Sequence, residues 1–253
     1  MFVITGGGSG IGKALALSLA KRDKEVLIIG RREQLLQETA ASTTNIRYLC
    51  ADVATAEGIQ TIKTYLSSVS QINALVNNAG TLSPLDELKD VTPEAWQNAL
   101  NTNLNAALYL PQSLYDKLNQ GRVLNIGSGA AYFAIKGWGA YCVSKAALSM
   151  LTKCWQLESR AIAFTSAMPG ISDTDMQAIA RSGTNPDQEG SLFYKRLKDS
   201  NRLVSPETVA AFLTWLLLDI DKETYLSKEW DIYDASHHRL WMKPPHQVLH
   251  WDF

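Results

Sequence analysis

Residues 2–22, FVITGGGSGIGKALALSLAKR, place a short apolar run, a cluster of glycines and a segment with helical periodicity in immediate succession. The apolar run predicts a buried strand, and the last segment predicts a helix with basic residues in its final turn. Glycines at the carboxyl end of a first strand let the backbone approach a pyrophosphate, and the next helix supplies free N–H groups. The spacing of Gly6, Gly10 and Gly12 is wider than G-x-G-x-x-G, and a glycine-rich turn without a ligand is the alternative.

The rest of the chain alternates apolar runs with helical patterns. Further strands are expected at 25–30, 46–50, 74–80, 122–128 and 161–170, and helices at 32–42, 56–70, 93–117, 139–159 and 206–218. This alternation implies right-handed crossovers and a parallel sheet with helices on both faces. We therefore predict one α/β domain of the Rossmann-type, doubly wound class over residues 1–234. The polar, glycine-containing segment 171–203 is expected to be a mobile lid, and 235–253 a C-terminal tail.

Composition excludes several classes of protein. Hydrophobic residues make up 46 % of the chain and charged residues 19 %, and the formal net charge is −1. No basic run is longer than two residues, which argues against nucleic acid or an acidic membrane as partner. Three scattered cysteines indicate reduced thiols, and we see no signal peptide or membrane span. We expect a cytoplasmic protein that acts on a small molecule.

The end of the second predicted strand indicates which dinucleotide is bound. NAD-preferring folds usually place a carboxylate there, on the ribose 2′-hydroxyl. Here the strand ends in Gly30, Arg31 and Arg32, and guanidinium groups can bind a 2′-phosphate bidentately. Arginines that only begin a solvated helix are the alternative, and Glu33 close by weakens the argument. We predict NADP(H).

Three tyrosines precede a lysine by four residues: Tyr132, Tyr141 and Tyr194. Reduction of a carbonyl by a nicotinamide needs a proton donor at the oxygen. A tyrosine has an ordinary pKa of about 10, and a nearby ammonium lowers that pKa by stabilising the phenolate. Only Tyr141 and Lys145 lie in an unbroken helical pattern, which puts both on one face. Only Tyr141 also follows a strand-end serine, Ser128, and we therefore favour it.

At this point several motifs occur together and in order. They are TGGGSGIG (5–12), NNAG (77–80), Asn103 in NTNLNAAL, Ser128, Tyr141 with Lys145, and PG (169–170) followed by Thr174. The set resembles the short-chain dehydrogenase/reductases over residues 1–234.

The resemblance implies a role for each matching residue near the reaction. Tyr141 would be the acid and base, and Lys145 would bind the nicotinamide ribose and lower the pKa of the tyrosine. Ser128 would hydrogen-bond the substrate carbonyl oxygen, and Asn103 would hold a water in the proton relay.

The resemblance also implies a set of cofactor-binding residues. These are Gly6, Ser9, Gly10, Ile11, Gly12, Arg31, Arg32, Asp52, Val53, Asn78, Ala79, Gly80, Pro169, Gly170 and Thr174. Asp52 would contact the adenine, residues 78–80 the ribose side, and Thr174 the nicotinamide carboxamide. NADP-dependent relatives often have a basic residue where Ser9 stands, so binding of the 2′-phosphate would depend on Arg31 and Arg32.

Within the family, the chain resembles most closely the sepiapterin reductases and their bacterial relatives, some of which reduce aromatic diketones such as benzil. The similar stretches are 136–151, 173–181, 202–210 and 230–234. Asp231 would anchor the guanidine-like edge of a pterin, unless it is a solvated strand end. Trp138, Cys142, Met176 and Gln177 would face the substrate, or would be packing residues of the lid and helix.

The tail contains all four histidines of the chain. His246 and His250 are four residues apart, but no acidic partner completes a metal motif, so no metal is expected. We expect Trp241, Leu249 and Trp251 to cover apolar surface on this subunit or a neighbour. The resemblance places the helices within 93–117 and 139–159 at a subunit interface, which implies a homodimer or homotetramer.

Together these features predict an NADPH-dependent carbonyl reductase acting on a pterin side-chain ketone or a similar aromatic dicarbonyl. A benzil-type or more general carbonyl reductase is one alternative. The other is a regulator that senses NADPH without turnover, because a fold does not fix a function.

Overall fold

The computed structural model describes residues 1–182 and 186–250. Seven β-strands of this part form one sheet, and every neighbouring pair in it is parallel. The strands are β1 (Phe2–Thr5), β2 (Val26–Gly30), β3 (Ile46–Cys50), β4 (Ala74–Asn77), β5 (Arg122–Ile126), β6 (Ala163–Met168) and β7 (Trp230–Asp231). The predicted strands therefore form, although most are shorter than their apolar runs.

The strand order is β3-β2-β1-β4-β5-β6-β7. From β1 the chain winds outward through β2 and β3, and then returns to the other side of β1 with β4. The order reverses between β1 and β4, and in open parallel sheets ligands bind in the crevice outside the carboxyl ends at such a point. The predicted doubly wound fold is confirmed.

Helices cover both faces of the sheet. They are α1 (Gly10–Ala20), α2 (Glu33–Ala40), α3 (Ala56–Tyr65), α4 (Pro93–Leu100), α5 (Ala106–Ser113), α6 (Gly139–Glu158), α7 (Asp175–Ala180), α8 (Gln188–Asp199), α9 (Pro206–Leu218), α10 (Lys222–Leu226) and α11 (His238–Trp241). Several begin at a hydroxyl or carboxylate cap, such as Thr55, Thr92 and Ser205, whose side chains accept a backbone N–H of the first turn.

Two apolar cores lie on opposite faces of the sheet. Alternate residues of a strand point to opposite faces. Ile4 packs with the core under α1 and α9, whereas Val3 packs with the core under α3 and α5. Because both faces are buried, the strands are almost uninterrupted apolar runs.

The segment predicted as one helix over 93–117 is interrupted. A π-helical turn, Asn101–Asn105, separates α4 from α5, and a 3₁₀ turn, Tyr115–Leu118, follows. Single π turns inside helices occur frequently at functional sites. Here the turn carries Asn103, whose side chain bonds the loop after β4.

The predicted lid, 171–203, contains two helices, α7 and α8, which sequence patterning missed. The many polar residues of α8 obscure the helical periodicity of its apolar residues, although Leu197 is buried and Tyr194 is partly buried. Residues 183–185 of the predicted lid lie outside the described residues.

The C-terminal tail folds back on α9. Trp241 is buried against Phe212, and its indole N–H donates to His237 Nδ1 at 2.9 Å. The prediction that Trp241 covers apolar surface is met, whereas Leu249 is exposed. Trp251 lies outside the described residues. None of the described helices is long and apolar enough to cross a membrane.

Candidate active site

A cleft of about 790 Å³ lies at the carboxyl ends of the strands and spans the point where the strand order reverses. It extends from the glycine loop and the end of β2 to α7, α8 and the end of β7. Its volume is in the upper part of the range of roughly 300–1,000 Å³ that small-molecule and cofactor sites occupy.

The glycine loop lines one end of this cleft. Gly6 and Gly10 have φ values of +69° and +51°, which favour glycine, and Ser9 and Ile11 also line the cleft. Gly12 does not line it, and its predicted cofactor contact stays a prediction. A Cβ on Gly12 would lie 2.4 Å from the Gly6 carbonyl oxygen, so this glycine lets α1 pack closely on the loop.

The remaining predicted cofactor residues reach the cleft from four strand ends. They are Arg31 and Arg32 after β2, Asp52 and Val53 after β3, Asn78, Ala79 and Gly80 after β4, and Pro169, Gly170 and Thr174 after β6. The Thr5 hydroxyl accepts the backbone N–H groups of Asn78 and Ala79, each at 3.0 Å, and so fixes the β4 loop beside the glycine loop.

The two arginines are held at the rim. Arg32 Nη2 donates to Ser9 Oγ at 2.7 Å, and Arg32 Nη1 lies 3.6 Å from Asp175. Arg31 Nη1 lies 3.6 Å from Asp52. Arg32 thus brings a guanidinium to Ser9, the position where relatives often carry a basic residue. Each guanidinium thus lies near a carboxylate at the rim of the cleft.

Ser128, Tyr141 and Lys145 line the same cleft. Ser128 follows β5, and Tyr141 and Lys145 lie one turn apart on α6. Lys145 Nζ is 5.6 Å from the centroid of the Tyr141 ring. The structure therefore brings together the three residues that the sequence analysis placed at the reaction.

The other two tyrosine–lysine pairs are not assembled in this way. Tyr132 bonds Glu229 and Ser149, and Lys136 lies 3.4 Å from Glu87. Tyr194 does line the cleft, but Lys198 bonds Asp173 instead.

Burial governs the charge state of Lys145. Its Nζ donates to the backbone oxygen of Ile126 at 2.8 Å, and removal from water lowers the pKa of Lys145 to about 8. The amine is therefore only partly protonated just above neutrality, unlike an ordinary lysine.

Burial also sets the direction in which the pKa of Tyr141 is shifted, and here the prediction was wrong. Loss of water raises the pKa of Tyr141, and interaction with the Ser128 hydroxyl only opposes that shift. A lowering by Lys145 was expected, but the ammonium is directed at a backbone carbonyl and burial dominates.

The lysine makes stability depend on pH in a defined window. The pKa of Lys145 is about 8 in the folded protein and has its ordinary value of 10.5 in the unfolded chain. Between these values the unfolded chain binds more protons, so stability rises with pH there. We expect wild type to gain stability relative to Lys145→Met by on the order of 3 kcal/mol between pH 7 and 10.5. Urea unfolding of both proteins across this range measures the gain.

The control is Lys153→Met, which removes an exposed lysine from the same helix. This variant shows any change in stability that the loss of a lysine from α6 causes by itself. A difference between wild type and Lys145→Met that does not change with pH would contradict the buried state of the Lys145 amine.

Asn103 lies behind the cleft and does not line it. The side chain is buried, its Oδ1 accepts the N–H of Thr81 at 2.8 Å, and its Nδ2 donates to the Thr81 oxygen at 2.9 Å and to Ser144 Oγ at 3.1 Å. With the amide so engaged, Asn103 ties the π turn to the β4 loop and to α6. The expected role of Asn103 in a water relay stays a prediction.

Trp138, Met176, Gln177 and Asp231 also line the cleft, and their contacts with a substrate stay a prediction. Cys142 does not line the cleft but packs in the same apolar cluster as Trp138, Tyr141 and Met176. Its predicted contact with the substrate stays a prediction.

Sequence reasoning missed several residues that line the cleft. They are Phe133, Ile135, Phe193, Tyr194, Tyr233 and His250. Tyr194 stacks on Trp138, with ring centroids 5.6 Å apart and planes 15° apart. Aromatic residues inside the predicted lid were the available signal. No local signal marks His250, which reaches the cleft because the tail folds back.

Similarity to known proteins agrees with this geometry. A model of the short chain dehydrogenase family matches residues 1–185. A benzil reductase ((S)-benzoin forming) from Bacillus cereus is 31 % identical over 85 % of this chain and 92 % of that protein, and one from Bacillus subtilis is 30 % identical over 92 % and 98 %. The crystal structure of a short chain dehydrogenase/reductase from Saccharomyces cerevisiae is 25 % identical, with a TM-score of 0.87 over 95 % of this chain and 98 % of that one.

These matches support one part of the resemblance drawn from the sequence and do not test the other. The similarity to bacterial benzil reductases is confirmed. The closer similarity to sepiapterin reductases stays a prediction.

Proposed function

We propose a specific activity for this chain, which belongs to the short-chain dehydrogenase family: the NADPH-dependent reduction of one ketone of an aromatic dicarbonyl. Membership makes the chain an oxidoreductase acting on carbonyl or alcohol groups with a nicotinamide cofactor. The substrate and the choice of NADPH are our proposals.

One observation carries the proposal: Ser128, Tyr141 and Lys145 line one wall of the cleft that the glycine loop opens. A bound NADPH would supply hydride to the carbonyl carbon. The Ser128 hydroxyl would donate a hydrogen bond to the carbonyl oxygen, and the Tyr141 phenol would give that oxygen its proton. Lys145, whose Nζ lies 5.6 Å from the centroid of that ring, would bind the ribose hydroxyls of the cofactor.

The rim of the cleft supports NADPH over NADH. Two arginines, and no carboxylate, follow β2 directly, and the bond from Arg32 to Ser9 directs a guanidinium toward the glycine loop. Glu33, the first carboxylate after Arg32 in the sequence, accepts from Gln37 one turn further along α2. It is therefore engaged within its own helix.

The far end of the cleft supports an aromatic substrate. Its walls are the rings of Trp138, Phe133, Phe193 and Tyr194, which suit flat aryl groups. The benzil reductases among the relatives point the same way.

A pterin ketone is the second candidate, because Asp231 also lines the cleft. Its Oδ1 accepts the backbone N–H of Tyr233 at 2.9 Å, which holds the carboxylate at the edge. A carboxylate there could bind an amidine-like edge through charge-assisted hydrogen bonds, and benzil has no such edge.

Oxidation of NADPH, followed by its absorbance with benzil and with sepiapterin, tests both candidates in wild type and in Asp231→Asn. We expect benzil to be reduced at similar rates by both proteins. If sepiapterin is the substrate, the substitution should lower its kcat/KM by roughly 10- to 100-fold and leave benzil unaffected. Binding of NADPH without oxidation by any dicarbonyl would favour the regulatory alternative.

We also expect a homodimer or homotetramer through α5 and α6. Val143, Met150 and Leu157 recur at seven-residue intervals on α6 and are exposed, as is Tyr109 on α5. Such a stripe is the kind of apolar surface that an oligomer covers.

A further inference from the structure

The face of the sheet beneath α6 becomes polar near the carboxyl ends of β5 and β6. Earlier in these strands, Val123 and Phe164 pack in an apolar core with Trp155 of α6. Two residues further along, their places on the same face are taken by Asn125 and Ser166, which are buried and opposite each other in the sheet. A buried hydroxyl such as that of Ser166 is costly unless it is hydrogen-bonded, so its partner contributes to how α6 packs on the sheet.

Glu229, the residue before β7, is that partner. Its Oε1 accepts from Ser166 Oγ at 2.5 Å, and its Oε2 accepts from Ser149 Oγ at 3.4 Å. Ser149 lies on α6, one turn after Lys145. The half-exposed Tyr132 also donates to Glu229 Oε2. One carboxylate therefore links the sheet to the helix of the tyrosine–lysine pair.

The same carboxylate lies against the strand end that carries Ser128. Gly127, the residue before this serine, lines the cleft, and its N–H donates to the Ala167 oxygen of β6 at 2.8 Å. A Cβ on Gly127 would lie 3.3 Å from Glu229 Oε1, which is closer than ordinary van der Waals contact. The glycine therefore leaves room for the carboxylate beside the end of β5.

A carboxylate suits this junction because it only accepts hydrogen bonds. Both of its oxygens can accept from hydroxyls at once, and such charge-assisted bonds are stronger than bonds between neutral groups. Polar networks whose hydrogen bonds are all made rigidify the structure around them. Lys145 provides a second link from α6 to the sheet, through its bond to the Ile126 oxygen at 2.8 Å. In the proposed function that lysine also binds the cofactor, whereas the link through Glu229 is independent of the reaction.

We infer that Glu229 is a positioning residue, which holds α6 on the ends of β5 and β6 and so sets the position of Tyr141 relative to Ser128. Glu229 does not itself line the cleft and acts through Ser149 and Ser166. The inference rests on the proposed function for the roles of Tyr141 and Ser128, but not for the bonds that Glu229 makes. Displacement of a reacting group by about 1 Å can lower a rate by roughly 10²-fold.

The test is the single-turnover oxidation of NADPH by benzil in Glu229→Ala. We expect the rate constant to fall by roughly 10- to 100-fold, with KM for benzil and the dissociation constant of NADPH within a few-fold of wild type. The amplitude distinguishes positioning from simple loss of stability. Misplaced groups lower the rate constant at full amplitude, whereas partial unfolding lowers the amplitude and leaves the rate constant unchanged.

Two further variants locate the effect in the link itself. Glu229→Gln keeps an acceptor and gains a donor that a hydroxyl oxygen can accept, so it should restore the rate constant to within a few-fold of wild type. Ser149→Ala should lower the rate constant and should add little to Glu229→Ala, because both changes remove the same bond. Loss of the Tyr132 hydroxyl leaves the bonds to Ser149 and Ser166 in place, so Tyr132 is not part of the link.

Asp221→Ala is the matched control. The Asp221 carboxylate accepts the N–H and the hydroxyl of Thr224 in α10, outside the cleft, and its loss should leave the rate constant unchanged. A wild-type rate constant in Glu229→Ala, or a loss of amplitude alone, would overturn the inference.

Hydrogen exchange tests the link without turnover. If wild type oxidises NADPH with no dicarbonyl, the proposed function fails, and exchange then decides the inference by itself. The amides of residues 127–133 and 139–149 should exchange faster in Glu229→Ala than in wild type or Asp221→Ala. Equal exchange in the three proteins would overturn the inference.

Discussion

Replacing Tyr141 with phenylalanine is expected to remove nearly all turnover and to leave NADPH affinity within a few-fold of wild type. The substitution deletes one hydroxyl from a buried side chain and keeps its ring against Trp138. Without the phenol, the carbonyl oxygen loses its proton donor, and positioned proton transfer typically accounts for roughly 10²–10⁴-fold of rate. Single-turnover oxidation of NADPH with benzil gives the rate, and fluorescence titration gives the affinity.

The chain supplies a matched control in Tyr132→Phe. Tyr132 has the same spacing to a lysine, but its hydroxyl bonds Ser149 outside the cleft. Its loss should change turnover by less than a few-fold. Undiminished turnover in Tyr141→Phe would reject the assignment, and equal losses in both variants would point to a structural effect on α6.

The fold was predictable because its signals are local. Parallel strands buried on both faces are continuous apolar runs, and the glycine cluster marks the first strand end independently. Strand ends in such a sheet meet at one edge, so Ser128 and Asn78 could be placed at the cleft without coordinates.

The contacts of individual site residues depend on the direction of each side chain, which the sequence does not give. Cys142 and Tyr141 are neighbours in sequence and pack in the same apolar cluster, but only Tyr141 lines the cleft. Asn103 is close to the cleft, but its amide is used by Thr81 and Ser144. Gly12 belongs to the glycine motif and serves packing instead. A motif identifies the segment and leaves the contacts of each member undetermined.

The contacts of the C-terminal tail with distant segments were equally hard to predict from the sequence. His237 is enclosed by Phe212, Trp215, Trp230 and Trp241. The Trp241 N–H donates to Nδ1, so Nε2 must carry the proton that is donated to the Asp231 oxygen at 2.9 Å. The tail thereby supports the strand that carries Asp231. No periodic pattern in the tail signals this contact, because it joins segments through tertiary packing.

The second large effect is expected in the choice of cofactor. We expect the double variant Arg31→Gln/Arg32→Gln to bind NADPH about 100-fold more weakly, with NADH affinity within a few-fold of wild type. A hydrogen bond to a charged group contributes roughly 1.5–3 kcal/mol, and in the proposed function both guanidinium groups bind the 2′-phosphate. Fluorescence titrations with both cofactors, at low and at moderate salt, measure the change.

The salt dependence of NADPH binding distinguishes arginines that contact the 2′-phosphate from arginines that only begin a solvated helix. Both side chains are largely exposed, at 68 % and 62 %, so salt screens them and wild-type NADPH affinity should fall as ionic strength rises. The double variant should lose most of that dependence. Arg47→Gln is the matched control. Arg47 lies on β3, pairs with Glu25 and does not line the cleft. If the double variant binds NADPH and NADH more weakly by the same factor, the arginines support the loop and do not bind the 2′-phosphate.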